Sequence, residues 1–292
     1  MKKNFKLFCF GFGQVAKYLI KNLIKSNYNF ELITTNTSKT TVNQINNLKY
    51  KSYYFFNEDY DKELINELNN SNKVLISIPP KKQNDTVLKV FGKNFTKSNF
   101  DWVTYLSATS VYGDKKGKWV DEKTNPEPTS ERGVARLNAE NSWLNLFLKF
   151  NLPVQIFRLS GIYSFENNAI VKIKKDKLKI VNKKNHFFSR IHVEDIAEVL
   201  KISLMKFQAG QIYNISDNYP CSNSEIAKYA ANLLNVEIPK FISLEEITNS
   251  MLKDFYRDSK KVSNKKMKDF FQYTLKYPTF KEGLNMIRNH II

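Results

Sequence analysis

A glycine-rich turn near the start of the chain constrains the fold more than any other feature. The apolar segment from Phe5 to Phe10 reads as a short strand that ends at this turn. After the turn, apolar residues recur at helical spacing as far as Ile24. A strand, a tight turn and a helix in this order predict the first βα unit of a parallel sheet. The turn consists of Gly11, Phe12, Gly13, Gln14, Val15 and Ala16.

The residue types in this turn are those of a dinucleotide-binding turn. Glycine at position 11 permits a sharp turn, glycine at 13 lets the backbone approach a pyrophosphate, and the small Ala16 allows close helix packing. The first amides of the helix, near Gln14 and Val15, would face the phosphates. The turn therefore predicts dinucleotide binding, and the alternative is a glycine turn that serves packing alone.

The nucleotide itself is suggested by the segment that follows the predicted second strand. An acidic residue that binds the adenosine 2′-hydroxyl is expected about 20 residues after the turn, but this segment contains neither Asp nor Glu. Without a carboxylate to repel a 2′-phosphate, NADP is favoured over NAD. An ordinary polar loop is the alternative. The candidate cofactor contacts are Thr35, Asn36, Ser38 and Lys39, together with Pro79 in a later stiff turn.

Short apolar runs and helical segments alternate through the first half of the chain. This alternation predicts an α/β protein, a Rossmann-type doubly wound parallel sheet with a small C-terminal substrate lobe. Residues 1–163 and 188–216 are expected to form the NAD(P)-binding domain, and residues 164–187 and 217–292 the substrate lobe. Two later helices should be capped by Asp195 and Ser222, the latter in a capping box with Glu225.

The net charge of +18 raises the question of a polyanionic partner. Because the lysines are spread along the chain, we expect solvated faces and an anionic small-molecule ligand, and no binding to nucleic acid. Two cysteines without metal-ligand spacing predict no metal site and a reducing, cytoplasmic location. No apolar run approaches the length of a membrane span, so no membrane association is expected. A homodimer is compatible with the sequence.

Three segments further along resemble the catalytic core of extended short-chain dehydrogenase/reductases, the NAD-dependent epimerase/dehydratase family. They run from Tyr105 to Gly113, from Ser130 to Arg136 and from Arg158 to Tyr163. Arg190-Ile-His-Val-Glu-Asp195 and the region around Tyr277-Pro-Thr-Phe resemble later parts of the same family. The resemblance implies an NAD(P) domain, a C-terminal substrate lobe, and substrates that are often nucleotide sugars.

The residues that carry the chemistry in that family are replaced here. The resemblance places Ala108 at the position of the Ser or Thr hydroxyl, Arg132 at that of the tyrosine and Arg136 at that of the lysine. A guanidinium stays protonated at any operating pH, so neither arginine can transfer a proton. We expect Arg136 to contact ribose and Arg132 to bind a carboxylate or phosphate, with ion pairs to Glu131 or Glu140 as the alternative.

Other residues near the predicted strand ends are candidates for the missing roles. The sequence therefore predicts an oxidoreductase, epimerase or dehydratase that acts on a small anionic or nucleotide-linked substrate without the usual acid/base set. The alternative is a non-catalytic, dinucleotide-responsive regulator or assembly factor. The candidates are Tyr112, Tyr163 and Thr109 for proton transfer, Ser107 and Gly161 for the cofactor, and Arg190 and His192 for the substrate anion.

Overall fold

The chain divides into two compact units. The computed structural model describes residues 4–81, 84–97, 99–181, 183, 185–248, 253 and 256–291. The first unit comprises Met1–Ala108, Val134–Arg158 and Ile196–Tyr213, and the second comprises Thr109–Gly133, Leu159–Asp195 and Asn214–Ile292. These boundaries differ from the predicted ones chiefly at residues 109–133. That segment joins the second unit because the backbone amides of Lys115 and Gly117 donate to the carbonyl of Ser259.

A mixed, mainly parallel sheet organises the first unit. Among the described residues, nine strands form it in the order β13-β9-β7-β6-β1-β2-β4-β3, with β5 paired to β4. The pairs β1–β2, β1–β6, β6–β7 and β2–β4 are parallel, which confirms the predicted Rossmann-type α/β fold. The strands are β1 Phe5–Phe10, β2 Phe30–Asn36, β3 Thr41–Ile45, β4 Leu48–Phe56, β5 Asp59–Tyr60, β6 Lys73–Ile76, β7 Trp102–Ala108, β9 Val154–Leu159 and β13 Ile212–Ile215.

Helices cover this sheet, and their apolar sides form one core with it. The strands in the middle are buried almost throughout, as expected when both faces of a parallel sheet are covered. Phe10, Phe91 and Trp143 are among the large side chains of this core. The helices are α1 Gln14–Lys25, α2 Glu63–Asn69, α3 Thr86–Phe95, α4 Glu131–Phe150 and α6 Val193–Ser203.

Strand β3 connects β2 to β4 and forms a β-hairpin with β4. A doubly wound fold usually has a helix in this connection. Strand β3 runs antiparallel to β4, with Ile45 opposite Leu48. The turn between them is Asn46-Asn47, and Asn46 adopts φ = +50°, a conformation that asparagine tolerates in two-residue hairpin turns. The side chains of β3 alternate between half-buried and exposed, the pattern of an edge strand. The alternation of strands and helices predicted from the sequence is interrupted at this point.

The described residues of the second unit form short strand pairs and four helices. Strand β8, Trp119–Val120, pairs with β15, Lys261–Val262; β10, Gly161–Tyr163, pairs with β12, Arg190–His192; and β11, Ile180–Val181, pairs with β14, Phe241–Ile242. Helices α5, α7 and α9 share one apolar cluster. The helices are α5 Ala169–Lys174, α7 Asn223–Leu234, α8 Lys265–Phe271 and α9 Phe280–Ile291.

The two predicted helix caps have different outcomes. Ser222 Oγ accepts a hydrogen bond from the backbone amide of Glu225 at 3.1 Å, which confirms the predicted N-cap of α7. Asp195 does not cap α6, because the helix already begins at Val193. Its carboxylate instead accepts hydrogen bonds from the backbone amides of Lys276 and Tyr277. No helix in the described part of the chain has the length and apolar character needed to cross a bilayer.

Candidate functional site

The glycine turn lies at the carboxyl end of β1 and is held by its neighbours in the sheet. Gly11 adopts φ = +81°, a left-handed conformation that favours glycine. A Cβ at this position would lie 3.0 Å from Ile78 Cγ1. The Gly11 amide donates to Thr35 Oγ1 at 2.8 Å, so the hydroxyl at the end of β2 holds the turn in place. The position requires glycine for both backbone and packing reasons.

The second glycine of the turn leaves open space in front of helix α1. Gly13 is the N-cap residue, with extended backbone at φ = −80°, and it is exposed. A Cβ built on it would meet no atom within 4 Å. No side chain caps the helix, and no acidic residue occupies its first turn. The turn thus offers helix amides and the helix dipole to an anion, and Ala16 is buried as close packing requires. These features fit the pyrophosphate of a dinucleotide.

The predicted contacts to the adenosine ribose largely bond to one another. Asn36 Nδ2 donates to the carbonyls of Lys39 and Ser52, and its Oδ1 accepts from the amides of Ser38 and Lys39. The Ser38 hydroxyl also donates to Asn36. The Asn36 amide therefore shapes its own loop. The Lys39 side chain remains exposed beside it, and Pro79 is exposed in the loop after β6.

Arg136 forms a hydrogen bond to the backbone near the end of strand β7. Its Nη1 donates to the carbonyl of Leu106 at 2.8 Å. The neighbouring Ser107 is buried, and its hydroxyl has no partner among the described residues. Ala108, half-buried, ends the strand. The alternative ion pair between Arg136 and Glu140 does not form, since the buried Glu140 carboxylate is bound by Arg158 through Nε and Nη2, the latter at 2.6 Å.

The two candidate tyrosines in the second unit are engaged in packing and hydrogen bonds. The fully buried Tyr112 donates its phenol to Asn214 Oδ1 at 2.8 Å. The Tyr163 phenol donates to the carbonyl of Thr279 at 3.4 Å, and burial raises its pKa well above the usual range. Thr109 is half-buried in the 3-10 turn that follows β7. The charged groups that act most on the Tyr163 phenol are carboxylates, which raise its pKa further, whereas a catalytic tyrosine is usually activated by a nearby cation.

His192 and Arg132, both proposed as anion contacts, lie in contrasting environments. Burial lowers the pKa of His192 to about 4, so the imidazole is neutral at pH 7. Its Nδ1 accepts from the amide of Glu194, and its ring packs on Tyr163 and Tyr277 with centroid distances of 4.9 and 4.1 Å. Arg132 is exposed in the first turn of α4. Only the arginine thus supplies a positive charge at neutral pH.

The second unit contains a cavity of about 690 Å³ between β10, α5, α7 and α9. Gly161, a predicted cofactor contact, lies on its wall, as does Arg190, a predicted anion contact. Arg190 is buried, and its Nη1 donates to the carbonyls of Phe188 and Cys221 at 3.1 and 3.2 Å. Lys172, Lys177 and Lys179 also line the cavity, and no acidic residue is among the described residues of its wall.

The lysines of this cavity are exposed, as the predicted solvated faces require, but the sequence did not predict that Lys172, Lys177 and Lys179 line one cavity. Between residues 172 and 190 the chain contains seven lysines and one arginine against a single acidic residue, Asp176. This local imbalance was the available signal. It was outweighed because lysine is abundant throughout the chain. No group of three or more histidine, cysteine, aspartate or glutamate side chains suited to a metal ion occurs in the described parts of the chain.

Two buried histidines should make the stability of the protein depend on pH. Burial is the main reason that the pKa values of His186 and His192 are lowered to about 4. The unfolded chain binds these protons near pH 6.5, so each histidine contributes stability above that pH, which is lost as the pH falls towards 4. The buried Asp217, whose pKa is raised to about 8, acts in the opposite sense. Its contribution to the stability of the protein is lost as the pH rises from about 4 to 8.

We therefore expect a His192→Asn variant to change the pH profile of unfolding. Its free energy of unfolding, relative to that of the unmodified protein, should rise by about 1.4 kcal/mol per pH unit as the pH falls from 6.5 to 4.5. Urea denaturation at several pH values measures this difference, and the contribution of Asp217 cancels in it. His290→Asn is the control, because it removes an exposed histidine of the last helix and leaves the buried imidazole in place. Parallel profiles for His192→Asn and the unmodified protein would contradict the assignment.

Comparison with known proteins agrees with this geometry. The model of the NAD dependent epimerase/dehydratase family matches residues 84–216. A functionally unknown conserved protein from Silicibacter pomeroyi is 30% identical, with a TM-score of 0.84 over 98% of this chain and 99% of that one. A dTDP-glucose 4,6-dehydratase from Bacillus anthracis in complex with NAD has a TM-score of 0.75 and 17% identity over 98% and 96% of the two chains, which shows a shared fold.

A curated relative is similar over a shorter stretch. The dTDP-D-glucose 4,6-dehydratase of Dictyostelium discoideum is 25% identical over 162 residues, which are 48% of this chain and 36% of that protein. The matched segment thus spans little more than a third of the relative. The glycine turn, the strand order and the family match together lead to one conclusion: the chain belongs to the NAD-dependent epimerase/dehydratase family of extended short-chain dehydrogenase/reductases.

Proposed function

We propose that this protein is an NAD(P)-dependent oxidoreductase, epimerase or dehydratase that acts on a small anionic substrate, nucleotide-linked or otherwise. One observation carries the proposal. The same chain has a dinucleotide-binding turn with open space at Gly13 in its first unit. In its second unit it has a cavity whose described wall residues include four cations and no carboxylate. A protein that only bound a dinucleotide would have no evident use for the second feature.

The cofactor proposal rests on what this chain's residues offer. The first-turn amides of α1 would hold the pyrophosphate, and Arg136, besides bonding to Leu106, would hold ribose hydroxyls. When bound, the nicotinamide ring accepts or donates hydride. The expected preference for NADP has no support from the relatives, of which the dehydratase binds NAD. Asn36 is committed to its own loop, so the exposed Lys39 is the residue that we propose would contact a 2′-phosphate.

Proton transfer requires a group outside positions 108, 132 and 136. Tyr112, Tyr163 and Thr109 remain the proposed candidates, although both phenols are hydrogen-bonded and buried. Arg132, being exposed and permanently charged, is proposed to pair with an anionic group of the substrate. Both cysteines are unpaired, in keeping with the proposed cytoplasmic location. A homodimer also remains a proposal.

Hydride transfer from stereospecifically deuterated NADH or NADPH tests this function. The purified protein is incubated with each reduced dinucleotide and a panel of carbonyl compounds, namely keto forms of nucleotide sugars, phosphorylated ketones and keto acids. We expect deuterium in at least one anionic product and in no uncharged analogue, read by mass spectrometry. Binding of the dinucleotide without transfer to any compound of the panel would overturn the enzymatic proposal.

A second function, that of a dinucleotide-responsive regulator, is favoured by one observation. The Tyr112 phenol is fully buried and bonded to Asn214, so it is not poised to donate a proton to a bound molecule. A regulator would bind the dinucleotide without turnover, and binding would change the stability of the protein or the partners that the protein binds. The deuterium experiment separates the two functions, because a regulator gives binding with no labelled product.

A further inference from the structure

We propose that the cavity of the second unit binds an amphipathic anion, whose phosphate or carboxylate pairs with the cationic side chains while an alkyl body lies against the apolar wall. The inference deepens the function proposed above and rests on it. It narrows the substrate class away from the nucleotide sugar that the name of the dehydratase relatives would suggest. Three features of the wall carry it: the apolar surface, the state of the neutral polar groups, and the arrangement of charge.

Much of the cavity wall is apolar and belongs to a packed core. Ile226 and Ala227 from α7, Phe280 and Leu284 from α9, and Leu178 and Ile180 from the segment after α5 all line it. Ile226, Phe280 and Leu284 are buried members of the cluster shared by α5, α7 and α9. Side chains fixed in this way keep the cavity open to an apolar ligand, and the volume of about 690 Å³ lies within the usual range for small-molecule sites.

Two neutral amides of the wall are occupied by the protein itself. Asn168 donates to the carbonyls of Ser164 and Phe165 and accepts from the amide of Val171. Asn223 accepts from Arg190 and donates to the Tyr256 hydroxyl at 2.8 Å. A nucleobase or a sugar is recognised through several donors and acceptors that remain available to it. The donors and acceptors of these two amides are already engaged in hydrogen bonds within the protein and are not available to such a ligand.

Positive charge is what the wall does offer. Arg190 is held by the carbonyls of Phe188 and Cys221 and by Asn223, and no described carboxylate forms an ion pair with it. Lys172 lies on the same wall with an exposed side chain, and partial desolvation together with the charge of Arg190 lowers its pKa. Lys177 and Lys179 add two further cations. Cations that line one cavity are stabilised by an anionic head group.

Binding of short alkyl compounds to the full-length protein tests this proposal. Hexyl, octyl and decyl phosphate, decanoate, decanol and UDP are titrated by calorimetry, each below its micelle-forming concentration. We expect affinity to rise roughly fourfold per added methylene, the factor that corresponds to burying that group. Decanoate shows whether a carboxylate replaces the phosphate. Decanol, which lacks the charge, and UDP, which lacks the chain, should both bind at least tenfold more weakly than decyl phosphate.

Matched variants show whether binding takes place in this cavity. Leu178→Gln puts a polar group on the apolar wall. It should weaken the binding of decyl phosphate more than the binding of hexyl phosphate. Lys172→Gln should lower the affinity for both alkyl phosphates by about fivefold, as the loss of a partly exposed ion pair does. Lys175→Gln is the control, because this exposed lysine carries the same charge three residues further on and does not line the cavity. Its affinities should be unchanged.

The outcomes distinguish this proposal from the function on which it rests. If UDP binds more tightly than decyl phosphate, or if affinity is independent of chain length, the amphipathic ligand is ruled out while the dinucleotide-dependent function stands. If Lys175→Gln weakens binding as much as Lys172→Gln, the binding is a surface charge effect, and the cavity assignment fails. A separate titration with NAD reports on the proposed function, since the glycine turn contributes no residue to the cavity wall.

Discussion

A Gly13→Leu variant is expected to lose dinucleotide binding and to keep its fold. The residue is exposed, its backbone is extended, and a Cβ would meet no protein atom within 4 Å, so leucine is accommodated without strain. The new side chain would fill the space before the α1 amides, where a pyrophosphate has to approach. We expect NAD and NADP to bind at least about a hundredfold more weakly, which corresponds to roughly 2.7 kcal/mol.

The measurements are calorimetric titration with each dinucleotide and thermal unfolding of the free protein. The melting temperature should move by no more than a few degrees, as for other exposed substitutions. Gly92→Leu is the matched control, because Gly92 also has open space around its Cβ but lies in helix α3. It should bind both dinucleotides as the unmodified protein does. Unchanged affinity in Gly13→Leu would remove the turn from the binding site.

Removing Glu140 alone should destabilise the protein by about 3–5 kcal/mol. Its carboxylate is 1% exposed and binds Arg158, which is 3% exposed, through two guanidinium nitrogens. A Glu140→Leu variant would leave the arginine charge buried without its counter-charge. The double variant Glu140→Leu with Arg158→Met removes both charges and should recover most of the lost stability, because apolar residues of similar size often replace a buried pair at little cost.

Urea denaturation of the single and double variants gives the free energies of unfolding and the coupling between the two positions. The exposed pair Lys265 and Asp269 on helix α8 provides the comparison. Asp269→Asn should cost less than about 0.5 kcal/mol, as is usual for such pairs on a helix surface. If Glu140→Leu lowers the free energy of unfolding by less than about 1 kcal/mol, the buried ion pair does not stabilise the fold as its geometry indicates.

Features that depend on neighbours in the chain were predictable from the residues. The glycine turn with Gly11 and Gly13 and the N-cap formed by Ser222 each involve residues a few positions apart, and both appear in the structure as expected. The strand that leads into the turn was predicted from Phe5 to Phe10, as found. The hairpin β3–β4 was missed because strands and helices were expected to alternate in this half of the chain.

The role of Asp195 shows why local reasoning has a limit. Its position before an apolar helical segment is typical of a cap, but its carboxylate bonds to Lys276 and Tyr277, some eighty residues away in the sequence. Glu140 was likewise considered as a partner of Arg136, four residues away on the same helix. The folded chain pairs it with Arg158 instead, since a bidentate buried contact excludes a weaker exposed one.

The residues alone were enough to derive the Rossmann-type fold and the glycine turn, both of which follow from short-range spacing. The replacement of the usual acid and base is what the resemblance to the family implies. Tertiary structure decided which cations gather around one cavity, which amides are already used, and which tyrosines are buried. Lys172, Arg190 and Asn223 meet only because β12, α5 and α7 pack together. Hydrogen bonds and burial between distant segments set these contacts, and no local pattern of residues encodes them.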